Sequence, residues 1–253
     1  FNGTEALAMG TVIGSNISNI ALIFGVSCIG VSMRPAKTNL VQFIPFAIAA
    51  IILGLVLLDL KITVIEGWVL LIIFALFIFI TYKYRGSELD DQIEESATGT
   101  ITILLYLTVG LLALIGGSNF AVIHAEKIAS ILNVPQLIIG LTIIALGTSL
   151  PELAATISAI MKNKNDMVIG NVIGSNVMNI ALVLPIIGFF SNTSFDSTLL
   201  SRDYFVMLIA TILFVLLAAT YSSNKINLKF IRFVGCIFVA GYIGYILNLS
   251  NLI

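Results

Sequence analysis

The sequence predicts an all-α protein that crosses a membrane several times and contains two oppositely oriented repeats. Three observations predict this: the composition, a series of long apolar runs, and a polar phrase that occurs twice. Of the 253 residues, 59% are hydrophobic and only 10% are charged. A soluble domain carries about a quarter charged residues, so the predicted partner of most of the chain is the lipid bilayer. The net charge of −1 argues against a nucleic-acid partner.

Eight apolar runs have the length of a membrane helix, because about 20 helical residues cross about 30 Å of hydrocarbon. They cover residues 6–32, 40–59, 64–82, 100–123, 136–161, 167–190, 204–221 and 230–248. Alternate connections between them hold nine of the twelve Lys and Arg residues. The positive-inside rule places those connections in the cytoplasm. We therefore predict a multi-pass protein of the cell inner (plasma) membrane, with the charged 83–99 loop in the cytoplasm.

The repeated phrase reads GTVIGSNISNIALIF at residues 10–24, the first copy, and GNVIGSNVMNIALVL at 170–184, the second copy. From residue 10 to residue 22, ten of thirteen positions match those 160 residues further on. The copies lie in the first and sixth predicted spans, which are an odd number of positions apart in the order of spans, so they run in opposite directions. Inverted repeats of this kind are typical of secondary transporters, whose substrate site lies at the midplane where the repeats meet.

Each copy carries a polar pair spaced by four residues, which places both side chains on one helix face. The pairs are Ser15 with Asn19 and Ser175 with Asn179. The glycines four residues apart in each copy favour close helix packing. Packing explains the glycines best, whereas two polar faces at membrane depth favour a functional role.

A second phrase, GTSLPE at 147–152, places Glu152 in the middle of a predicted span. An ionisable group at that depth indicates a functional site. Pro151 removes a backbone donor, so the helix is predicted to break there. Carboxylate, hydroxyl and carbonyl oxygens then converge, and these are ligands for hard cations such as Ca²⁺. Without a nearby His or Cys cluster, zinc and soft metals are disfavoured.

GTSLPE followed by GNVIGSN resembles the cation/calcium exchanger superfamily, nearest its prokaryotic sodium/calcium antiporter branch. The resemblance implies an inverted-repeat exchanger fold of ten helices and alternating transport of Ca²⁺ and Na⁺, with no resident cofactor and no obligate protein partner. It also implies three regions: 1–84 as the remainder of the N-terminal half with helices 3–5, 85–99 as a cytoplasmic acidic linker, and 100–253 as the C-terminal half with helices 6–10. The ligands it implies are Ala145 through its carbonyl, Thr148, Ser149, Glu152, Ser175, Asn179, Ser15 and Asn19.

The chain departs from the family pattern in three ways. The first copy lacks a GTSxPE partner, because subtracting 160 from Glu152 points upstream of residue 1. We therefore expect an N-terminally truncated sequence with eight of ten helices and one of two carboxylates. Asn179 stands where many sodium-coupled members have Asp, which leaves the counter-ions open. Thr11 replaces the Asn found at 171, and there we expect only a packing difference.

Other functions remain as alternatives. An H⁺/Ca²⁺ exchanger of the same fold is the runner-up, because the sequence separates Na⁺ from H⁺ coupling poorly. A cation channel also needs oxygen-lined helices, but it is more often a ring of identical subunits. An enzyme is disfavoured, because no His or Lys base lies at a depth where it would activate a serine.

Overall fold

The computed structural model describes residues 4–30, 40–84, 100–162, 164–190, 194–222 and 227–250. Those residues are almost all helical, and they contain no strand. The α-helices are α1 (Thr4–Ile17), α2 (Gly25–Gly30), α3 (Phe43–Val56), α4 (Val64–Lys83), α5 (Thr100–Ile131), α6 (Gln136–Ile139), α7 (Ala145–Thr148), α8 (Leu150–Met161), α9 (Asn165–Met178), α10 (Leu184–Phe190), α11 (Phe205–Ser222) and α12 (Leu228–Leu249). The π-helical segments are Ser18–Phe24, Gly140–Ile144, Asn179–Val183 and Leu199–Tyr204, and a 3₁₀ turn covers Leu40–Gln42.

Several of these elements join into continuous apolar helices. Among the described residues, seven are long and apolar enough to cross a membrane: Glu5–Gly30, Val64–Lys83, Ile101–Ile131, Gln136–Met161, Asp166–Phe190, Leu199–Thr220 and Leu228–Leu249. An eighth apolar helix, Leu40–Val56, is shorter. These eight helices occupy the positions of the eight predicted spans, so the multi-pass, all-α prediction is confirmed. The predicted linker at 85–99 lies outside the described residues, and the division into two halves stays a prediction.

Three predicted span limits are wrong by three or more residues. The seventh span, predicted to begin at residue 204, begins at Leu199 in a π-helical segment. The second span, predicted to reach residue 59, ends at Val56, because the chain then turns and Leu60 adopts a φ of 58°. The fourth span, predicted to end at residue 123, continues as helix to Ile131. Its last turns contain Ala, Glu and Lys, which are strong helix formers, so the polar side chains there do not end the helix.

The helix break predicted at the GTSLPE phrase is confirmed. Ser149 separates α7 from α8, with φ −88° and ψ 0°. Its backbone N–H still bonds to the carbonyls of Ala145 and Leu146, so the break is one residue wide. Pro151 follows within the first two residues of α8, where its missing N–H has no helical acceptor to lose.

A buried polar cluster joins α11 to its neighbours. The Asp203 carboxylate is fully buried and accepts from the Arg202 guanidinium at 2.7 and 3.2 Å and from the Tyr245 hydroxyl at 2.9 Å. The next residue, Tyr204, donates its hydroxyl to the Ala50 carbonyl at 3.1 Å. Because a buried charge must be paired, these bonds allow the polar Leu199–Tyr204 segment to continue as helix into the membrane.

Small residues bring α1 against the helix that contains α6 and α7. A side-chain carbon at Gly14 would overlap the Leu141 carbonyl oxygen, and one at Gly10 would lie 2.7 Å from the Leu137 carbonyl oxygen. On the opposite helix, a carbon at Gly140 would overlap the Leu7 carbonyl oxygen. The packing interpretation is thus confirmed for the first-copy glycines. In the second copy no atom of the described residues lies within 4 Å of such a carbon at residue 170.

We predict that Gly14→Ala lowers the free energy of unfolding by about 1–3 kcal/mol, the usual cost of overpacking a tight contact. The matched control is Gly241→Ala in α12, where an added methyl meets nothing within 4 Å. The control should be neutral or slightly stabilising, because Ala is a better helix former than Gly. Thermal unfolding of the purified protein in detergent, followed by circular dichroism, measures both. Equal unfolding temperatures for the two variants would contradict the close crossing.

Candidate functional site

The close crossing of α1 and α7 brings the first copy against the GTSLPE phrase. The Ser15 hydroxyl lies 3.3 Å from the Ala145 carbonyl oxygen and 3.0 Å from the Thr148 hydroxyl. The Thr148 hydroxyl also lies 2.9 Å from the Ile144 carbonyl oxygen, one helical turn back. Each of these two hydroxyls has a single proton and also lies within reach of a backbone carbonyl, so either Ser15 or Thr148 can be the donor between them. Three of the predicted ligands therefore form one hydrogen-bonded group.

A fourth predicted ligand, Ser149, is held by a residue that was not predicted. The hydroxyls of Ser18 and Ser149 lie 3.0 Å apart, and both side chains are buried. Ser18 also donates to the Ser15 carbonyl at 3.1 Å. Ser18 is the first residue of the π-helical segment that interrupts the first-copy helix. Such segments are frequent at functional sites.

The two copies of the repeated phrase meet side by side. The Asn19 amide donates to the Ser175 hydroxyl at 3.1 Å, and the Asn179 amide donates to the Asn16 side-chain oxygen at 3.2 Å. Asn16 in turn directs its amide at the Met207 sulfur, 3.6 Å away. All four predicted ligands of the repeats thus lie within one turn of the contact between the copies.

Glu152 lies in the first turn of α8, just after the helix break. Its backbone carbonyl accepts from the Asn171 amide at 3.0 Å, and the same amide lies 2.9 Å from the Thr156 hydroxyl. The carboxylate oxygen Oε2 is buried and has no hydrogen-bond partner among the residues that the structure describes. The helix dipole favours a carboxylate at this helix N-terminus. A buried carboxylate oxygen without a donor nevertheless costs free energy.

An open groove of about 630 Å³ leads to Glu152. It is lined on one side by α5 from Tyr106 to Leu114 and on the other by α8, with Asn171 at its base. Most of its wall is apolar, and the polar residues that line it are Tyr106, Glu152, Ser158 and Asn171, of which only Glu152 carries a carboxylate.

The two asparagines of the repeats use their side-chain amides as donors to the neighbouring copy. Asn19 donates to Ser175 and Asn179 donates to Asn16, so in each residue the side-chain oxygen is not the atom that makes this bond. Within the described residues, the Asn19 oxygen is buried without a hydrogen-bond donor, as is Glu152 Oε2. A buried acceptor without a donor costs about 1–3 kcal/mol, which a bound cation would offset. No cluster of three His, Cys, Asp or Glu side chains occurs in the part of the chain that the structure describes.

Sequence reasoning missed several residues around the site: Asn16, Ser18, Thr156, Asn171 and Met207. Asn16 had a usable signal, because Asn176 occupies the equivalent position of the second copy. Ser18, Asn171 and Met207 had none, since Ser18 and Asn171 are the positions where the copies differ and Met207 lies in another helix.

Comparison with known proteins identifies this arrangement. Residues 1–83 and 102–250 match the family described as "Sodium/calcium exchanger protein". The chain is 36% identical over 255 residues to the putative antiporter CaxA of Alkalimonas amylolytica, covering 97% of this chain and 79% of that protein. It is 33% identical over 230 residues to the inner membrane protein YrbG of Escherichia coli, covering 83% and 68%.

The fold matches a solved structure of the sodium–calcium exchanger NCX_Mj soaked with Na⁺ and Sr²⁺. The TM-score is 0.73 at 30% sequence identity, and the match covers 94% of this chain and 75% of that chain. This likeness confirms the inverted-repeat exchanger fold predicted from the repeated phrase. The expected upstream helices and the second carboxylate stay predictions.

We predict that Asn171→Ala lowers the free energy of unfolding by about 1–3 kcal/mol, because the Glu152 carbonyl and the Thr156 hydroxyl lose their shared donor. The repeat itself supplies the control, Thr11→Ala, since Thr11 bonds only within its own helix, to the Leu7 carbonyl at 2.8 Å. Thr11→Ala should lower the free energy of unfolding by clearly less than Asn171→Ala does. Thermal unfolding in detergent compares the two variants, and an equal loss would mean that Asn171 does not secure α8 to α9.

Proposed function

We propose that this chain, which belongs to the sodium/calcium exchanger protein family, is a secondary active antiporter that exchanges Ca²⁺ for Na⁺ across the membrane by alternating access. The family and its fold are those of transporters, and the chain is a multi-pass membrane protein. The cargo ions, their coupling and the plasma (inner) membrane location are parts of the proposal. The ions are substrates, bound and released in each cycle.

The observation that supports the proposal best is the pair of unpartnered buried oxygens where the two copies meet the broken helix. Glu152 Oε2 and the Asn19 amide oxygen are both buried without a hydrogen-bond donor. The nearby hydroxyls of Ser15 and Ser149 and the Ala145 carbonyl add neutral oxygens from three helical segments. Ca²⁺ takes six to eight oxygen ligands in flexible geometry, and Na⁺ is also bound by oxygens, so one set of ligands serves both in turn.

Alternation needs a route to the site from each side. The groove beside Glu152 is lined by the first part of α5 and by α8. Both elements adjoin connections that hold basic residues, Lys83 and Arg85 before α5 and Lys162 and Lys164 after α8, and these connections are predicted to be cytoplasmic. The groove therefore serves as the cytoplasmic approach in this proposal. Closing it against the carboxylate while the opposite side opens would complete the transport cycle.

Coupling to H⁺ is the second candidate, because Glu152 is the single ionisable side chain among the eight proposed ligands, and a carboxylate can carry a proton as well as hold a cation. A cation channel is less favoured, since the inverted repeats and the broken helix are features of transporters. Uptake of radioactive calcium into proteoliposomes, driven in turn by a sodium gradient and by a proton gradient, separates these functions. Uptake without any counter-gradient dependence would favour a channel.

We predict that Glu152→Gln abolishes Ca²⁺ uptake while the protein still inserts and folds. Gln keeps the size of Glu but removes the charge that compensates a desolvated divalent cation. Glu126→Gln in α5 is the matched control, because it makes the same change outside the proposed site. Uptake by proteoliposomes, normalised to folded protein, measures both. Normal uptake by the Glu152 variant would show that the site is misplaced.

Asn179 tests the charge balance of the site. The family pattern has two carboxylates, and residue 179 of this chain is a neutral amide. Two negative charges already neutralise one bound Ca²⁺, so we expect an exchange cycle that moves almost no net charge. Each net charge moved across the membrane would couple to voltage by about 2.3 kcal/mol per 100 mV. We predict that Asn179→Asp tightens cation binding or makes uptake more sensitive to voltage. The structure gives the new carboxylate a neighbour, since Asn16 can rotate its amide to donate to it.

The measurement is Ca²⁺ uptake in liposomes clamped with valinomycin at two potentials. Asn133→Asp is the matched control, because Asn133 lies in a turn with a φ of 57°, which Asp tolerates. The test uses the full-length protein, with the expected upstream segment and its carboxylate, and strong voltage dependence of that unmutated protein would contradict the charge balance. An Asp at 179 that leaves both affinity and voltage dependence unchanged would mean that this carboxylate stays protonated.

A further inference from the structure

Ser18 is a buried hydroxyl beside the proposed cation site that none of the comparisons assigns a role. It has no exposed surface, and its oxygen contacts the Ser149 hydroxyl on the broken helix at 3.0 Å. The second copy has Met178 at the equivalent position, and that side chain is 46% exposed. The hydroxyl is therefore a feature of one copy only, at the point where this copy touches the helix break.

The two oxygen contacts of Ser18 can both be hydrogen bonds at once with only one direction of the Ser18–Ser149 bond. Ser18 has one hydroxyl proton, and the Ser15 carbonyl 3.1 Å away can only accept it. With that proton on the carbonyl, Ser149 must be the donor to Ser18. A chain of donors then runs from Ser149 to Ser18 to the Ser15 carbonyl, and it ends on the backbone of the first copy.

The direction of this chain determines what Ser149 offers to an ion. A hydroxyl that binds a cation must present a lone pair and turn its proton away, because the proton carries positive partial charge. Ser149 can do this only if an acceptor stands on the side opposite the ion. We propose that Ser18 is a positioning residue that accepts the proton of Ser149 and so keeps the Ser149 oxygen available for the transported cation. The proposal rests on the proposed function, since it concerns the same site.

The test compares Ser18→Ala with three further variants in proteoliposomes. Ser18→Ala should raise the Ca²⁺ concentration for half-maximal uptake by about three- to tenfold, the usual effect of one lost hydrogen bond. Ser18→Thr, which keeps the hydroxyl, should restore the native value. Ser27→Ala should leave it unchanged, because Ser27 is equally buried in the same long helix but bonds only to the Ile23 carbonyl of that helix.

A double-mutant cycle separates positioning from general loss of stability. If Ser18 acts only through Ser149, then Ser149→Ala alone and together with Ser18→Ala must give the same half-saturating concentration. Additive effects, or a Ser18→Ala protein with native affinity, would overturn the proposal while leaving Ca²⁺ exchange intact. An unaltered protein that takes up no Ca²⁺ under any gradient would overturn the proposed function and this inference with it.

Discussion

The contact on which the whole site depends is the close crossing of α1 with the helix that contains α6 and α7. Gly10, Gly14 and Gly140 have no side chains to keep the two backbones apart, and carbons at these positions would fall on carbonyl oxygens of the opposite helix. At this distance the Ser15 hydroxyl reaches the Ala145 carbonyl across 130 residues of sequence. A wider crossing would leave the polar groups of both helices facing each other across a gap at membrane depth, where each unpaired group costs several kcal/mol.

Low polarity around the site explains why its donors are so strictly directed. In water, a serine or asparagine can turn either way at little cost, whereas a buried donor must find an acceptor. In this protein the acceptors are backbone carbonyls and side chains of the neighbouring copy, as with Asn19 on Ser175 and Thr148 on the Ile144 carbonyl. The Asn19 amide oxygen and the Glu152 carboxylate oxygen Oε2 remain without a donor among the described residues. The same network therefore stabilises the helix contacts and prepares a surface that suits a hard cation.

The two copies of the repeated phrase share most of their sequence but not their surroundings. Two of the positions where they differ are positions where one copy makes a contact with the GTSLPE helix: Ser18 with Ser149, and Asn171 with the Glu152 carbonyl. Their counterparts, Met178 and Thr11, make no side-chain hydrogen bond to that helix within the described residues. Symmetry therefore accounts for the shared polar pairs, while the differences between the copies adapt each one to its own neighbour.

Composition, helical period and proline act locally along the chain, so the sequence alone predicts the membrane setting, the positions of the eight apolar helices, the repeat and the break at Ser149. It also predicts the residue types of the candidate site, since a mid-span Glu and paired Ser and Asn are costly without a role. The packing of the helices sets which groups meet: Ser15 with Thr148, Ser18 with Ser149 and Asn16 with Asn179. It also decided that α5 runs on to Ile131 and that π-helical turns begin at Ser18 and Asn179. These features depend on the distance between packed helices and on which face each helix presents to its neighbour. Pairings between residues more than 130 positions apart leave no periodic pattern in a single sequence.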